Sequence, residues 1–314
     1  MGLATTSVSK ATAGRTWQSL VGGARSPAAG RSKIWLDGKR PITLDRSAKQ
    51  IGAPQAWRQG LTGAGVTVAV LDSGYDATHP DLKDVVTRSR NFSDEPDVTD
   101  GIGHGTHVAS IVAGAGERYR GVAPGAKIAL GKVGGEYASE SAILAGMEWA
   151  AAEVEAKIIN MSIGGPDTPG IDPLEHAVNT LSARTGALFV IAAGNDGAPG
   201  SVSSPGSADA ALTVGAVDGS DRMAEFSSRG PRLGDHAIKP EVTAPGVGIM
   251  AAAAQGTADG PYVGQHRRSD RPPRLRGRIA LPAGWFLQRR EPRWPRRSRP
   301  ASQASDSRTA VPVR

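Results

Sequence analysis

A chain of 314 residues with 39% hydrophobic content can bury the core of one substantial domain, and its 41 glycines and 22 prolines against 4% aromatics favour small-residue packing and tight turns. It has no cysteine, which excludes disulfides and thiolate metal sites, and no apolar run long enough to suggest a membrane-spanning helix. The formal charge of +7 is local: residues 265–314 hold 14 arginines, no lysine and only Asp270, Glu291 and Asp306 as acids, so the remainder is net acidic and does not read as a nucleic-acid-binding body.

Three zones follow along the chain. Residues 1–45 are polar and mixed. Met1-Gly2-Leu3-Ala4-Thr5-Thr6 lacks the apolar stretch of a signal peptide, so either the protein is cytosolic or its start lies upstream. Residues 46–263 alternate apolar and amphipathic runs between glycines. Residues 264–314 are Arg/Pro-rich without periodicity and are expected to be disordered.

In the middle zone the spacing predicts a buried strand over 66–71 ending at Asp72, then a helix of small and branched residues over 104–114. A strand follows over 126–133, a helix over 141–153, and a strand over 157–163. Next come a helix over 172–183, with Asp172 as N-cap and Pro173 at its first position, and strands over 188–193 and 211–217. Such alternation implies an α/β fold with a mostly parallel sheet covered on both faces and functional residues at the carboxyl ends of the strands. Asp72, Ser162 and Asn195 fall at such ends.

The chemistry-bearing residues share that edge. Asp72 ends a buried strand, and His104 stands 32 residues later where Gly103-His104-Gly105 enters a helix. A carboxylate that fixes an imidazole tautomer, beside an imidazole that accepts a proton from a nucleophile, is the working pair of a hydrolase. Asn195, in Gly194-Asn195-Asp196-Gly197, offers a side-chain amide that can donate to a developing oxyanion. Taken singly, Asp72 is also a good turn residue, His104 a helix cap, and Asn195-Asp196-Gly197 ordinary turn chemistry.

The ordered set resembles the subtilisin-like (S8) serine peptidases. The likeness runs over about residues 50–263, through Leu71-Asp72-Ser73-Gly74, His79-Pro80-Asp81-Leu82, His104-Gly105-Thr106-His107-Val108-Ala109, Asn160-Met161-Ser162-Ile163-Gly164-Gly165, Ala193-Gly194-Asn195 and Lys239-Pro240-Glu241-Val242-Thr243-Ala244-Pro245-Gly246. The resemblance implies a three-layer subtilisin-like fold and hydrolysis of polypeptides, with Asp72 orienting His104, His104 as general base and Asn195 in the oxyanion hole. It makes Val133-Gly134-Gly135 and Ser162-Ile163-Gly164 the two edges between which a substrate strand pairs. It also implies an extracellular, monomeric protein with no nucleic-acid or membrane partner, and it makes residues 1–45 a propeptide remnant and linker. A structural calcium ion at Asp81 is the one cofactor it offers, yet the stretch Gly116 to Gly121 lacks the oxygen-rich loop such a site requires. His107 reads as helix packing rather than catalysis.

The chain departs from the family where the nucleophile belongs. A Gly-Thr-Ser-Met-Ala loop should follow Pro261-Tyr262-Val263-Gly264, and the chain instead reads Gln265-His266-Arg267-Arg268-Ser269-Asp270-Arg271. Ser269 has neither the preceding Gly-Thr nor the small apolar residues that would enter a buried helix. A shifted reading frame accounts for this: Pro272 to Gly277, encoded CCC CCA CGT CTC CGG GGC, gives Pro-His-Val-Ser-Gly one base later, the family's segment after its nucleophile. The expectation is a disrupted, inactive endopeptidase. The alternatives are a peptide-binding pseudopeptidase and, ranked last, a nucleotide-binding α/β protein, for which the chain has neither Gly-x-Gly-x-x-Gly after its first strand nor a Walker loop.

Overall fold

The computed structural model describes residues 44–264; residues 1–43 of the expected propeptide remnant and residues 265–314 of the Arg/Pro-rich tail, Ser269 among them, lie outside the described residues. In chain order the elements are α1 (Leu44–Gln50), α2 (Ala53–Arg58), β1 (Thr67–Asp72), β2 (Val86–Asn91), α3 (His104–Ala113), β3 (Lys127–Lys132) and α4 (Glu140–Glu148). After α4 comes a π-helical turn, Trp149–Glu153. There follow β4 (Ile158–Met161), α5 (Pro173–Thr185), β5 (Leu188–Ala192), β6 (Leu212–Val217), β7 (Val242–Pro245), β8 (Met250–Ala252) and β9 (Tyr262–Gly264).

Strands β1 to β7 form one sheet in the order β2-β3-β1-β4-β5-β6-β7, with every neighbouring pair parallel. Strands β8 and β9 form a separate antiparallel pair. The central strands are apolar on both faces because both faces are covered. Val68, Val70, Ile128, Leu130 and Val190 join a core with α3 and Ile249 on one side. Ala69, Leu71, Ile159, Met161, Phe189 and Ile191 join a second core with α4, the π turn and α5 on the other. This is the three-layer α/β arrangement expected from the alternation of runs.

Several boundaries differ from the sequence reading. Helix α1 runs across the expected boundary at residue 45, and Ala48 and Ala53 enter the first core. The helix expected over 141–153 ends its α-helical course at Glu148 and continues as the π turn. Strand β4 stops at Met161, so Ser162 and Ile163 lie just past its end rather than inside it. Strand β2, Val86-Thr87-Arg88-Ser89-Arg90-Asn91, was not anticipated: it is a polar edge strand with an exposed middle and leaves no apolar trace in the sequence.

β1 lies between β3 and β4, where the sheet order turns from one side to the other. In such sheets the crevice beyond the carboxyl ends at that point is where ligands bind. Asp72, the last residue of β1, sits there.

Candidate active site

Asp72 is buried, with 2% of its side chain exposed, and His104 is 15% exposed. His104 Nδ1 lies 2.6 Å from Asp72 Oδ1. A carboxylate can only accept, so Nδ1 carries the proton and Nε2 keeps a basic lone pair. Burial pushes the His104 pKa down, but the charge and hydrogen bond of Asp72 outweigh it, and the net displacement is upward. Asp72 Oδ1 also accepts the Ser73 N–H at 2.8 Å. Among the described residues His104 Nε2 has no hydrogen-bond partner. The pair is thus oriented and basic.

A second buried carboxylate holds this pair in place. Asp100, 2% exposed, accepts five hydrogen bonds. Its Oδ1 takes Ser73 Oγ (2.9 Å), Ile102 N (3.2 Å) and Gly103 N (2.8 Å). Its Oδ2 takes Thr106 N (2.8 Å) and Thr106 Oγ1 (2.7 Å). Asp100 therefore satisfies the otherwise unpaired N–H groups at the start of α3 and ties them to Ser73, the residue after Asp72. Ser73 Oγ in turn accepts the Gly105 N–H at 2.9 Å.

Two glycines let these segments meet. A Cβ on Gly105 would lie 2.1 Å from the Gly74 carbonyl oxygen, and one on Gly74, whose φ is 106°, would lie 2.3 Å from the Val98 carbonyl oxygen. Both obstacles are backbone, which cannot swing aside. Gly105→Ala should therefore cost about 3 kcal/mol or more and part Asp72 from His104. A denaturant titration checks it, and an unchanged midpoint would contradict the packing described.

The remaining expected site residues lie along the same carboxyl edge. Asn195 follows Gly194 beyond β5, which is two strands from β1 and so about 10 Å across the sheet. It is partly buried. Ser162, Ile163 and Gly164 follow β4, and Val133, Gly134 and Gly135 follow β3. Val133 is buried, whereas Gly164 is exposed. The resemblance made Gly134 and Gly135 part of one edge beside which a substrate strand pairs. In the structure a Cβ on Gly134 would lie 2.1 Å from the Tyr137 carbonyl oxygen, and one on Gly135 2.0 Å from the Glu95 side-chain Oε1.

A carboxylate and an imidazole in contact at the switch point of a parallel sheet, with an amide on the same edge, call for comparison with known proteins. Residues 63–268 match the family model described as Subtilase family. The chain belongs to the subtilases. It is 37% identical over 250 residues to Subtilisin Savinase of Lederbergia lenta, covering 78% of this chain and 84% of that protein. It is equally similar to an Alkaline protease of Alkalihalobacillus alcalophilus, of which it spans 60%. To Subtilisin E of Bacillus subtilis (strain 168) it is 38% identical over 244 residues, spanning 59% of that protein.

Two other ionisable groups of this subtilase have structural surroundings. His107 is fully buried in α3, and its Nε2 donates to the Ile249 carbonyl at 3.0 Å. That joins α3 to the start of β8, the packing role expected of it. Burial pushes its pKa down to about 4. The unfolded chain therefore binds a proton between about pH 6.5 and about pH 4 that the folded chain does not, and stability rises with pH across that window. His107 alone should contribute about 3 kcal/mol of acid lability. His104, displaced upward, acts oppositely: its contribution is complete below about pH 6.5 and is lost as pH rises through its folded value. Thermal unfolding followed from pH 7 to 4 should show a steep acid limb that His107→Gln flattens; equal slopes would contradict the assignment.

Asp81 is buried and only one of its carboxylate oxygens is engaged: among the described residues its Oδ2 has no hydrogen-bond partner. Its Oδ1 takes the Tyr262 hydroxyl at 3.2 Å, Tyr262 stacks on Tyr119 at 4.6 Å, and Gly116 packs against Oδ2.

Asp100 and Lys132 are the supporting residues that sequence reasoning missed. Lys132, 1% exposed, pairs with Glu95 at 2.7 Å and donates to the Thr99 carbonyl at 2.5 Å, fixing the loop that passes over Gly74. Asp100 had a usable signal, an acid shortly before the glycine-flanked start of a helix. Lys132 had none, since its neighbours spell an ordinary buried strand.

Proposed function

We propose that this subtilase is a serine-endopeptidase scaffold that presents a polypeptide-binding cleft and an oriented Asp72–His104 pair but lacks the hydroxyl that the pair would activate. The observation that carries this is the pairing of a complete Asp72–His104 contact with a sequence after Gly264 that has no Gly-Thr-Ser loop. The match to the family model ends at residue 268, one short of Ser269.

In this reading the chemistry that remains is partial. Asp72 holds Nδ1–H, so Nε2 is the proton acceptor. In a chain with a serine hydroxyl against Nε2, that hydroxyl would lose its proton to His104 as its oxygen attacks the scissile carbonyl, and the Asn195 amide would donate to the oxygen that becomes negative. The protonated imidazole, stabilised by Asp72, would then return the proton to the leaving amine. Here the first step has no donor. A polypeptide would still pair as an added strand with the segments after β3 and β4. Polypeptide is the substrate class, and an extracellular, monomeric state belongs to the same reading.

Both cleft edges stand on intact strands, which favours peptide binding without turnover as the residual activity. Incubating the full chain with fluorescent casein should release no soluble peptide above a His104→Ala control, while peptide binding is retained. Casein hydrolysis that depends on His104 would defeat the proposal.

A further inference from the structure

The connections that leave the carboxyl ends of β2, β3, β4 and β5 frame the cleft, and their charge is one-sided. Residues 92–103, 133–139, 162–172 and 193–204 hold eight aspartates and glutamates and no lysine, arginine or histidine. Asp94, Glu95, Asp97, Glu136 and Asp196 among them are exposed. The amino ends of the strands differ. Residues 114–126 and 154–157, which lead into β3 and β4, hold Arg118, Arg120 and Lys157 against Glu117 and Glu155. The acidity therefore belongs to the cleft end of the sheet and not to both ends alike.

Local bonding fixes this charge at the cleft edge. Asn91 Oδ1 accepts the Ser93 N–H at 2.9 Å, and Asn91 Nδ2 donates to the Glu95 carbonyl at 2.5 Å, folding the stretch after β2 back on itself. The Glu95 carboxylate lies over Gly135, and Glu136 follows along the same edge. Lys132, at the end of β3, is 1% exposed and paired with Glu95 at 2.7 Å, so its charge is held inside the fold. Among the described residues no ion pair engages Asp94, Asp97, Glu136 or Asp196. A crevice lined by one sign of charge concentrates its field between low-dielectric walls.

We propose that the cleft selects extended polypeptides rich in lysine and arginine. This rests on the reading of the cleft as a polypeptide-binding surface and adds the chemistry of its ligand. The strand edges supply the site; the acids decide the charge of what occupies it. In an extended ligand paired with the segments after β3 and β4, successive side chains point to opposite sides, so every second one passes along the same rim. Ammonium and guanidinium groups there come into the field of Asp94, Asp97 and Glu136, whereas carboxylates there are repelled. Exposed pairs are individually weak, and the preference arises because several act together in one crevice.

The test is fluorescence anisotropy of the full chain with three fluorescein-labelled peptides of equal length. They carry lysine, glutamine or glutamate at every second position and alanine elsewhere. At about 20 mM NaCl the lysine peptide should bind about tenfold more tightly than the glutamine peptide, and the glutamate peptide more weakly than either. At about 0.5 M NaCl the lysine advantage should shrink to about twofold or less. Asp94→Asn with Glu136→Gln, both at exposed positions, should weaken the lysine peptide about threefold or more and leave the glutamine peptide unchanged. Glu117→Gln with Glu155→Gln removes the same charge at the amino ends of the strands and should change neither. Should the Asp94→Asn, Glu136→Gln chain fold poorly, Glu136→Gln alone repeats the comparison. Equal affinity for the lysine and glutamine peptides, or equal weakening by the two double changes, overturns the proposal while glutamine-peptide binding preserves the cleft. No binding of any of the three peptides overturns both.

Discussion

Asp100→Ala should lower stability by about 3–5 kcal/mol and release the start of α3 from the end of β1. The carboxylate is buried and accepts five hydrogen bonds. Alanine would leave the Ile102, Gly103 and Thr106 N–H groups and the Ser73 hydroxyl without that acceptor, and each buried donor so left costs about 1–3 kcal/mol, less when water can enter. The imidazole of His104 rides on this turn, so its contact with Asp72 should loosen as well. Denaturant unfolding reads the first effect; the upward-displaced His104 pKa, followed by NMR, reads the second and should fall toward the ordinary histidine range. Asp100→Asn, which keeps the shape but loses the charge and turns one acceptor into a donor, should lie between. An alanine variant within about 1 kcal/mol of the parent would show that the turn is held by something else.

Lys239→Met should cost a comparable amount, about 3–5 kcal/mol, at the far side of the sheet. The Lys239 ammonium is buried and donates to the carbonyls of Ala208 (2.8 Å) and Ala211 (2.9 Å) and to Thr213 Oγ1 (3.0 Å). It also pairs with Glu241 at 2.7 Å. One cation thus gathers the turn before β6 and the approach to β7. Burial pushes its pKa down in spite of Glu241. The asymmetry of buried pairs decides the sign: a well-packed apolar pair in place of both charges can be neutral, but removing one partner strands the carbonyls and the Glu241 carboxylate. The double change Lys239→Met with Glu241→Gln should recover part of the loss. Urea unfolding of the three variants measures it, and equal destabilisation by the single and the double change would contradict the account.

The parts of this molecule legible in the sequence are those where one physical constraint acts alone. β1 and β5 are covered on both faces and so are written as nearly continuous apolar runs, and Asp72 stands out because it ends one of them. The capping box of α5 is equally plain, with Asp172, Pro173 and Glu175 in the order a helix start demands. β2 is a solvent-facing edge of mostly polar residues, and its pairing with β3 leaves no periodic apolar pattern in the sequence. The π turn after α4 has no signature, because Trp149 and Ala150 to Glu153 would extend an ordinary helix equally well.

The site divides in the same way. The carboxylate, the imidazole and the amide were readable because their order and glycine settings are those of a known family. Asp100 carried a local signal, since four of its five hydrogen bonds come from Ile102, Gly103 and Thr106 just after it, but its tie to Ser73 beside Asp72 exists only in the fold. Gly105 was legible as a motif residue, while its reason, the Gly74 carbonyl pressed against it, is visible only in three dimensions.

A fluorophosphonate reagent followed by intact-mass analysis tests most directly the proposed absence of a hydroxyl for His104 to activate. Such a reagent phosphonylates a serine only when a neighbouring base has activated it. The full chain should emerge with unchanged mass after hours at pH 8, under conditions that label an active subtilisin completely. A single adduct on Ser269 or any other serine, abolished by His104→Ala, would show that the Asp72–His104 pair does have a nucleophile and that the chain is a working peptidase.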